Sequence, residues 1–421
     1  MADTWFGLKD ESPVLSVKSV AVMSDVHLGA GEVDKTPGKC VLDEPGQLKR
    51  FSDFLRDRVG PVDALIFNGD LFDFALATMH ETMTSGRAFL DVASKYASQL
   101  IYVPGNHDHH TWLLANEIHE LAGGMPTVDV DAVQRTERMY HSTYLQRMIA
   151  SQNCQVFIGY PNVYWKPAAI ASTHTYVFHH GHYCEDTYSL ISDLLVSAFP
   201  DKVSAQQQQS LEFLEAVNFG WIELVWYQLG QMGKGIGAHG LVESLYQQIQ
   251  AGQTQQFEDA LRRLYQNKFK AIVDQSLRAK LGSVAGAAAS AAADHALPAI
   301  IIELIRLHAK DQEGAGASAA RGSDLDGDLA KLCVQYISKS RGPYLPSTDK
   351  VGFFFGHTHV AGHLNVPDAS ATLYNDGGWI RDTDASWSDS HVLAIDGTGS
   401  VTDHFFAETN DGHTSTPLGI A

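Results

Sequence analysis

Residues 20–27 read Val-Ala-Val-Met-Ser-Asp-Val-His, a short apolar run that ends in an aspartate and a histidine. Four further apolar runs along the chain also end in residue types that bind metal ions. The five resulting clusters are Ser24–His27, Asn68–Asp73, Pro104–Asp108, His179–His182 and Gly356–His359. Apolar runs of this kind, bounded by Gly, Pro or Asn, are typical of strands buried on both faces. We therefore expect each cluster to follow directly on a buried strand.

Helical periodicity separates the first three of these strands. Apolar residues recur at three- and four-residue steps in two stretches, which are Leu48, Phe51, Phe54, Leu55 and Val59, and Phe89, Ala93, Tyr96 and Ala97. Alternation of strand and helix predicts a parallel sheet with right-handed crossover connections. Ligands of such sheets bind outside the carboxyl ends of the strands, where all five clusters fall. The predicted fold class is therefore α/β, with a polar site along one edge of the sheet.

The chain has 421 residues and a formal net charge of −19, from 30 basic and 49 acidic side chains. A protein that grips duplex nucleic acid needs clustered Lys and Arg, so this balance argues against a nuclease of that kind. The negative net charge is compatible with a small phosphorylated substrate, because bound metal ions supply local positive charge. No uncharged apolar run is long enough to span a bilayer, although contact with a membrane surface stays open.

The four cysteines, Cys40, Cys154, Cys184 and Cys333, are far apart and form no CxxC pair. Four in a chain of this length do not make a disulfide framework. The first residues show no basic region followed by an apolar stretch, so we expect no signal peptide. These features favour a cytoplasmic protein with reduced thiols.

Each of the five clusters contains side chains with an oxygen or imidazole nitrogen that can bind a metal ion. They are Asp25, His27, Asp70, Asn106, His180, His357 and His359. This mixture suits two divalent transition-metal ions, with Mn the first choice and Fe, Zn, Co or Ni as alternatives, and no thiolate demands a softer metal. The carboxylate of Asp70 has two oxygens with which to bridge two ions. Six ligands and a bridge would crowd one ion, whereas two ions about 3.5–4 Å apart fit the number of donors.

In this order the clusters resemble the motifs of the calcineurin-like metallophosphoesterase superfamily, which read D-x-H, G-D-x-x-D, G-N-H-D/E, H-G and G-H-x-H. The matching segments are Asp25–His27, Gly69–Asp73, Gly105–Asp108, His180–Gly181 and Gly356–His359. The resemblance covers residues 15–185 and 348–405. It implies a sandwich of two mixed β-sheets flanked by helices.

The resemblance also implies how the donors divide between two ions. The ligands of the first ion are Asp25, His27 and His359. The ligands of the second ion are Asn106, His180 and His357, and Asp70 bridges the two. The fourth motif contains several histidines, and we choose His180, which precedes the glycine, with His182 as the alternative.

Such a pair of ions implies a particular chemistry. A water shared by two divalent ions loses a proton near neutral pH, and the bridging hydroxide attacks the phosphorus in line. His107 is not counted as a ligand and would assist the leaving group. Asp108 is expected to orient the His107 imidazole, and Asp73 to form hydrogen bonds within its own turn.

The substrate is less constrained than the metal site. The short spacings of the first three motifs, and a helical insertion after the fourth, look like the bacterial UDP-2,3-diacylglucosamine pyrophosphate hydrolases. Those enzymes usually carry Arg where this chain has His107. The expected activity is therefore hydrolysis of a phosphomonoester or phosphodiester, and the alternative is hydrolysis of a pyrophosphate in a nucleotide-linked lipid or sugar. An alternative function of another class is that of a catalytically idle scaffold, which would bind partners through the insertion. The complete set of donors disfavours this alternative.

The chain is predicted to have a core in two parts. Residues 15–184 form the first part, residues 185–345 a helical insertion or cap, and residues 346–410 the second part. The insertion shows long stretches of helical spacing and offers a surface for oligomer formation. The segment Asn375–Trp379 follows the last cluster, and it is expected either to wall the pocket or to form a simple turn.

Overall fold

The computed structural model describes residues 9–29, 40–74, 77–122, 137–170, 173–198, 201, 203–228, 325, 327–380, 389–407 and 412–420. The chain divides into two units, one of residues 1–230 with 315–421 and the other of residues 231–314. The second unit, which is the larger part of the predicted insertion, lies outside the described residues. The boundaries expected for the insertion, residues 185 and 345, stay a prediction.

The strands of the described residues form two sheets. Their bounds are β1 (Lys9–Glu11), β2 (Val14–Leu15), β3 (Val20–Met23), β4 (Val62–Asn68), β5 (Ala97–Val103), β6 (Arg138–His141), β7 (Gln155–Tyr160), β8 (Val163–Trp165), β9 (His174–Phe178), β10 (Lys350–Phe355), β11 (Gly362–Val366), β12 (Ala371–Asn375), β13 (His391–Ile395), β14 (Ser400–Phe405) and β15 (Thr414–Ile420). One sheet has nine strands in the order β1-β6-β7-β5-β4-β3-β13-β14-β15, and the other has six in the order β11-β12-β10-β9-β8-β2. Strands β3, β4, β5 and β7 run parallel in the first sheet, as β9, β10 and β12 do in the second.

Alternating side chains explain why strand β3 is buried on both faces. Val20 and Val22 pack into a cluster with Phe178 and Phe354 of the six-stranded sheet. The side chains between them point the other way, so Ala21 and its neighbours join a second cluster with the flanking helices. Each fully buried large apolar side chain contributes about 1.5–3 kcal/mol. The predicted sandwich of two sheets with flanking helices is confirmed.

The helices largely follow the predicted periodicity. Their bounds are α1 (Gln47–Phe54), α2 (Met79–Ala93), α3 (His109–Ala122), α4 (Thr143–Gln146), α5 (Leu190–Ala198), α6 (Ala205–Gln208), α7 (Leu211–Ile222) and α8 (Asp328–Lys339). Helix α2 begins with a capping box, in which the Thr78 backbone N–H donates to Glu81 and the Glu81 backbone N–H donates to Thr78. The expected helical stripe through Tyr96 and Ala97 was wrong at its end, because α2 stops at Ala93 and Ala97 already pairs with Val62 as the start of β5.

One segment of the predicted insertion, helix α8, packs close to the fourth cluster. The Tyr336 hydroxyl on α8 donates to Asn162 Oδ1 at 3.0 Å, and the Tyr336 ring lies 4.2 Å from the His179 ring. Within the predicted insertion, Asn218 of α7 accepts from the backbone N–H groups of Ile191 and Ser192 at the start of α5. Within the described residues, no helix is long and apolar enough to traverse a bilayer. The four cysteines are buried and unpaired.

We expect the stability of the second part of the core to depend on His391, at the start of β13. Its Nδ1 lies 2.7 Å from Asp403 Oδ1 and its Nε2 lies 3.0 Å from Asp389 Oδ1. Burial opposes protonation, but these two carboxylates raise the pKa of His391 to about 9. Since the pKa of an unfolded histidine is about 6.5, this stabilisation is fully present below that pH and is lost as the pH rises through 9.

Urea unfolding of the wild type and of His391→Gln, followed across that range, measures the effect. The difference in unfolding free energy between the two proteins should be largest near pH 6.5 and should shrink towards pH 9. A difference that does not change with pH would contradict the assignment.

Candidate metal centre

Backbone hydrogen bonds between neighbouring strand ends join four of the five clusters in pairs. The Asp25 N–H donates to Gly69 O at 3.0 Å, and the His27 N–H donates to Asp70 O at 2.8 Å. In the other sheet, the Gly356 N–H donates to His180 O at 2.8 Å. The loops after β3, β4, β9 and β10 are therefore tied in pairs, and their polar side chains meet at one edge of the sandwich.

The first group of donors is Asp25, His27 and His359. His359 Nε2 lies 3.0 Å from Asp25 Oδ1 and 3.3 Å from His27 Nε2, while His27 Nε2 lies 3.9 Å from Asp25 Oδ1. Two ligand atoms at about 2.0–2.2 Å from one ion, with tetrahedral to right-angle geometry, lie about 2.8–3.6 Å apart. Two of the three separations fall in this range and the third is slightly longer, so the three donors fit one transition-metal ion.

The second group is centred on His180. Its Nε2 lies 2.9 Å from Asn106 Oδ1 and 3.2 Å from Asp70 Oδ2. The same Asp70 oxygen lies 3.8 Å from His27 Nε2 in the first group. Asp70 thus lies between the two groups.

His357 lies beside both groups but faces a different partner. Its backbone N–H donates to Asp25 Oδ2 at 2.8 Å, and its ring lies edge-on to that of His180 at 5.1 Å. Its Nε2 is 2.9 Å from Oε2 of Glu185. Glu185 is a residue that the sequence analysis did not single out, and no motif marks it, because only the fold brings residue 185 to residue 357.

His182, the alternative for the fourth motif, lies apart from these donors. Its Nε2 is 3.4 Å from the Tyr160 hydroxyl, and its ring packs 4.4 Å from that of Tyr183. Burial lowers the pKa of His182 well below its ordinary value, with like charge on His179 and His180 adding to the effect. The structure therefore brings His180, and not His182, to Asp70 and Asn106.

The donor groups are buried, and their charges compensate one another. Burial opposes ionisation of Asp70, but His180 and His107 lower its pKa well below the ordinary value. Burial likewise opposes ionisation of Asp25, whose pKa His359 and His180 lower. Asp25 Oδ1 has no well-aligned hydrogen bond although it is fully buried. An ionised carboxylate oxygen left in this state fits a bound cation.

A comparison of the sequence with protein families agrees with this geometry. A model of the calcineurin-like phosphoesterase family matches residues 18–272, more than half of the chain. The chain belongs to the calcineurin-like phosphoesterase family. Among curated proteins, none shows significant sequence similarity. Among solved structures, a single mutant of Vps29 from Entamoeba histolytica matches 96% of this chain and 99% of its own, at 8% identity and a TM-score of 0.32.

In this member of the family, five of the seven candidate ligands have a strained backbone. Residues with a left-handed backbone are uncommon outside glycine, and each costs about 1–3 kcal/mol. Those among the candidate ligands are Asp25 (φ 51°), His27 (φ 52°), Asp70 (φ 47°), His357 (φ 65°) and His359 (φ 58°). The tight turns direct side chains from successive loops into a small volume, and such strain concentrates at functional sites.

Glycines in the motifs make room for the donors. A Cβ on Gly356 would lie 1.9 Å from Asp25 Oδ2, and a Cβ on Gly69 would lie 2.0 Å from His180 Nδ1. Gly69 also has a φ of 101°, which a side chain rarely adopts. Glycine is required at both positions because a ligand side chain from another loop lies against the backbone there.

The contacts around His107 bear on two expectations, and they correct the one for Asp108. Asp108 was expected to orient the imidazole, but its carboxylate accepts from the backbone N–H groups of Gly105 at 2.7 Å and Phe72 at 3.0 Å. Burial, and then the charge of Asp70, raise the pKa of Asp108 to about 6. The contact with His107 Nδ1 comes instead from Asp73, whose Oδ1 lies 3.2 Å away.

Asp73 was expected to hydrogen-bond within its own turn, and its carboxylate also contacts histidines of two other loops. Its Oδ2 lies 2.9 Å from His27 Nδ1, so that one carboxylate contacts two imidazoles. Burial opposes its ionisation, yet His107 and His27 lower the pKa of Asp73 far below the ordinary value. A carboxylate in this position sets the tautomer and orientation of both rings.

The segment Asn375–Trp379 is hydrogen-bonded to the loops that carry two of the donors. Asn375 Nδ2 donates to Gly356 O at 3.0 Å, Ser24 Oγ donates to Asp376 Oδ1 at 2.6 Å, and the Trp379 N–H donates to Asp25 O at 2.9 Å. The sequence analysis left open whether this segment walls the pocket or forms a simple turn. Neither interpretation includes these hydrogen bonds. The segment holds the loops that carry Asp25 and His357.

We expect Gly356→Ala to abolish the arrangement without removing any donor atom. The new methyl group would overlap Asp25 Oδ2, so the protein should lose bound metal and about 1–3 kcal/mol of stability. Metal analysis after dialysis, with thermal unfolding, measures both effects. Gly220→Ala is the matched control, because nothing lies within 4 Å of the added carbon and it sits in helix α7. Full metal content in Gly356→Ala would show that the close approach is not needed.

Proposed function

We propose that this chain hydrolyses a phosphoester with two divalent transition-metal ions. The proposed ligands of the first ion are Asp25, His27 and His359. Those of the second are Asn106, His180 and His357, with Asp70 shared. The observation that carries the proposal is the position of Asp70 Oδ2, 3.2 Å from His180 Nε2 in one group and 3.8 Å from His27 Nε2 in the other.

Two such ions supply an activated water and positive charge for the phosphoryl oxygens. The choice of donors suits this task, because Asn106 provides an oxygen without a charge and Asp70 provides one that both ions share. The Asp70 carboxylate is held by its own contacts, since Oδ1 accepts from the His107 backbone N–H at 2.9 Å. Mn is the metal that we favour among those such donors bind.

His107 is proposed to assist the leaving group. Its Nδ1 faces Asp73 Oδ1, so Nδ1–H donates to that carboxylate and the proton exchanged with the leaving oxygen belongs to Nε2. Asp73 stabilises positive charge on the ring before the proton is given up. The His107 ring lies 4.8 Å from that of His27, next to the first group of donors.

The substrate that we propose is a small phosphomonoester or phosphodiester. The net charge of −19 disfavours duplex nucleic acid, and a bound metal pair provides the positive charge that a phosphoryl group needs. The alternative is a pyrophosphate in a nucleotide-linked lipid or sugar, which the spacing of the first motifs favours and His107 opposes. A catalytically idle scaffold is opposed by the presence of every donor and of His107.

The proposed domain organisation of the chain follows the predicted insertion. We propose that residues 15–184 and 346–410 form the phosphoesterase core and that residues 185–345 form an insertion, which is available for contacts with a second copy of the chain. A cytoplasmic location remains the prediction drawn from the sequence.

Replacing Asp70 with Ala should remove metal and activity together, because the carboxylate is shared by both donor groups. Metal content by elemental analysis, and turnover of p-nitrophenyl phosphate, bis-p-nitrophenyl phosphate and a nucleotide-sugar pyrophosphate, are the measurements. Asp368→Ala, at an exposed aspartate, is the control. An active and fully metallated Asp70→Ala protein would refute the shared ligand. The preferred substrate of the wild type decides among the three reaction classes.

Replacing His107 with Ala should lower turnover by about 10²- to 10⁴-fold while both ions stay bound. The loss should be smaller for substrates with good leaving groups, because these need less protonation. His363→Ala, at an exposed histidine, is the control. If His107→Ala loses metal, then His107 is a ligand and the leaving-group role is wrong.

A further inference from the structure

Helix α7 of the predicted insertion continues into a π-helical turn, Glu223–Gln228. Two side chains of this turn, Glu223 and Tyr227, contact His110 in the first turn of helix α3. His110 Nδ1 donates to Glu223 Oε1 at 2.7 Å, and the Tyr227 ring stacks on the His110 ring, with 3.6 Å between centroids and 6° between planes. The other carboxylate oxygen, Oε2, lies 3.8 Å from His109 Nδ1. His110 is thus held by a hydrogen bond and by a stacked ring at the same time.

The hydrogen bond between Glu223 and His110 is largely shielded from water. The two side chains are 11% and 17% exposed. Burial opposes ionisation of Glu223, but His109 and His110 lower its pKa to about 2. The acceptor is therefore a charged carboxylate, and hydrogen bonds to charged groups are about twice as strong as neutral ones. This contact fixes the π-helical turn on the start of α3.

The same turn also reaches the segment that carries Asp73. The Tyr227 ring meets the Phe74 ring edge-on at 6.3 Å, and Phe74 directly follows Asp73. Asp73 is the carboxylate that contacts His107 Nδ1. His110, on which Tyr227 stacks, lies three residues beyond His107. Tyr227 therefore contacts both chain segments that carry the Asp73–His107 pair.

The position of His107 decides whether its ring can give up a proton. A general acid must lie within about 2.6–3.2 Å of the oxygen that it protonates, and a displacement of about 1 Å lowers the rate by about 100-fold. The His107 ring is oriented by Asp73 at 3.2 Å. A shift of α3 relative to Asp73 would therefore separate the acid from the carboxylate that orients it. Turns of π-helix inside α-helices are rare and are frequently found at functional sites.

We propose that Glu223 and Tyr227 are positioning residues for His107, on which they act through His110 and Phe74. The inference rests on the proposed function, because it assumes that His107 protonates the leaving group. The seven proposed metal ligands all belong to the two parts of the core, whereas Glu223 and Tyr227 belong to the insertion. The insertion would thus take part in leaving-group protonation and leave metal binding to the core.

The first experiment compares Glu223→Gln, Tyr227→Leu and Tyr227→Phe with the wild type on three aryl esters. These are phenyl, 4-nitrophenyl and 2,4-dinitrophenyl phosphomonoesters or phosphodiesters, whichever class the wild type prefers. Glu223→Gln and Tyr227→Leu should keep the metal content and KM, and should lower kcat on the phenyl ester by about 10- to 100-fold. The dinitrophenyl ester should be hydrolysed at nearly the wild-type rate, because its leaving group needs no proton. Tyr227→Phe keeps the stacked ring and should equal the wild type, as should the matched control Glu212→Gln, at an exposed glutamate of α7.

The second experiment adds Glu223→Gln to His107→Ala. If Glu223 acts through His107, the double variant should turn over the phenyl ester no more slowly than His107→Ala alone, whereas independent effects would multiply. Thermal unfolding shows whether each variant is folded. If Glu223→Gln does not fold, Tyr227→Leu takes its place in both experiments.

The outcomes separate this inference from the proposed function. If Glu223→Gln and Tyr227→Leu slow all three esters by the same factor, or slow His107→Ala further, the π-helical turn acts on another step and the inference is overturned. Wild-type kcat in both variants on the phenyl ester would overturn it as well. If the wild type shows no metal-dependent turnover, or His107→Ala keeps full turnover, the proposed function itself fails, and the inference fails with it.

Discussion

The structure depends on the convergence of buried carboxylates and imidazoles around Asp70. Removing an ionised carboxylate from water costs several kcal/mol, so such groups are retained only where opposite charge or hydrogen-bond donors lie close. Asp70 meets this requirement with the backbone N–H of His107 on one oxygen and the imidazole of His180 at 3.2 Å from the other. The same condition applies to Asp25 and Asp73. Loops from both sheets must therefore end at the same place.

Bringing these side chains into one small volume restricts the backbone conformation of the loops that carry them. Five of the seven donors have left-handed backbone conformations, and Gly69 and Gly356 leave no space for a methyl group. These strained turns are compensated by the cores on either side of the nine-stranded sheet, where strand residues pack against the second sheet and against the helices. The rigid sandwich holds the loops in place, so that donors far apart in the chain stay within a few ångströms of one another.

Residues outside the motifs decide how the donors are oriented. Asp73 contacts the rings of both His27 and His107, and the segment Asn375–Trp379 braces the loops that carry Asp25 and His357. Partners of this kind set the tautomers and positions of metal ligands. Glu185, whose Oε2 lies 2.9 Å from His357 Nε2, is a further contact to a candidate ligand from outside the motifs. The site is therefore assembled from a larger number of residues than its motifs contain.

The sequence by itself determined the local features. Apolar runs that end in Asp, His and Asn predicted the buried strands β3, β4, β5, β9 and β10, and their residue types and order predicted the donors and the family. This worked because strand burial and turn chemistry depend on neighbours in the chain. Only the tertiary structure decided that His180 rather than His182 meets Asp70, that Asp73 rather than Asp108 contacts His107, that β13 and β14 complete the first sheet, and that Glu185 reaches His357. Each of these depends on the direction of a side chain or the pairing of a strand across a long separation in sequence, and local periodicity does not encode such distances.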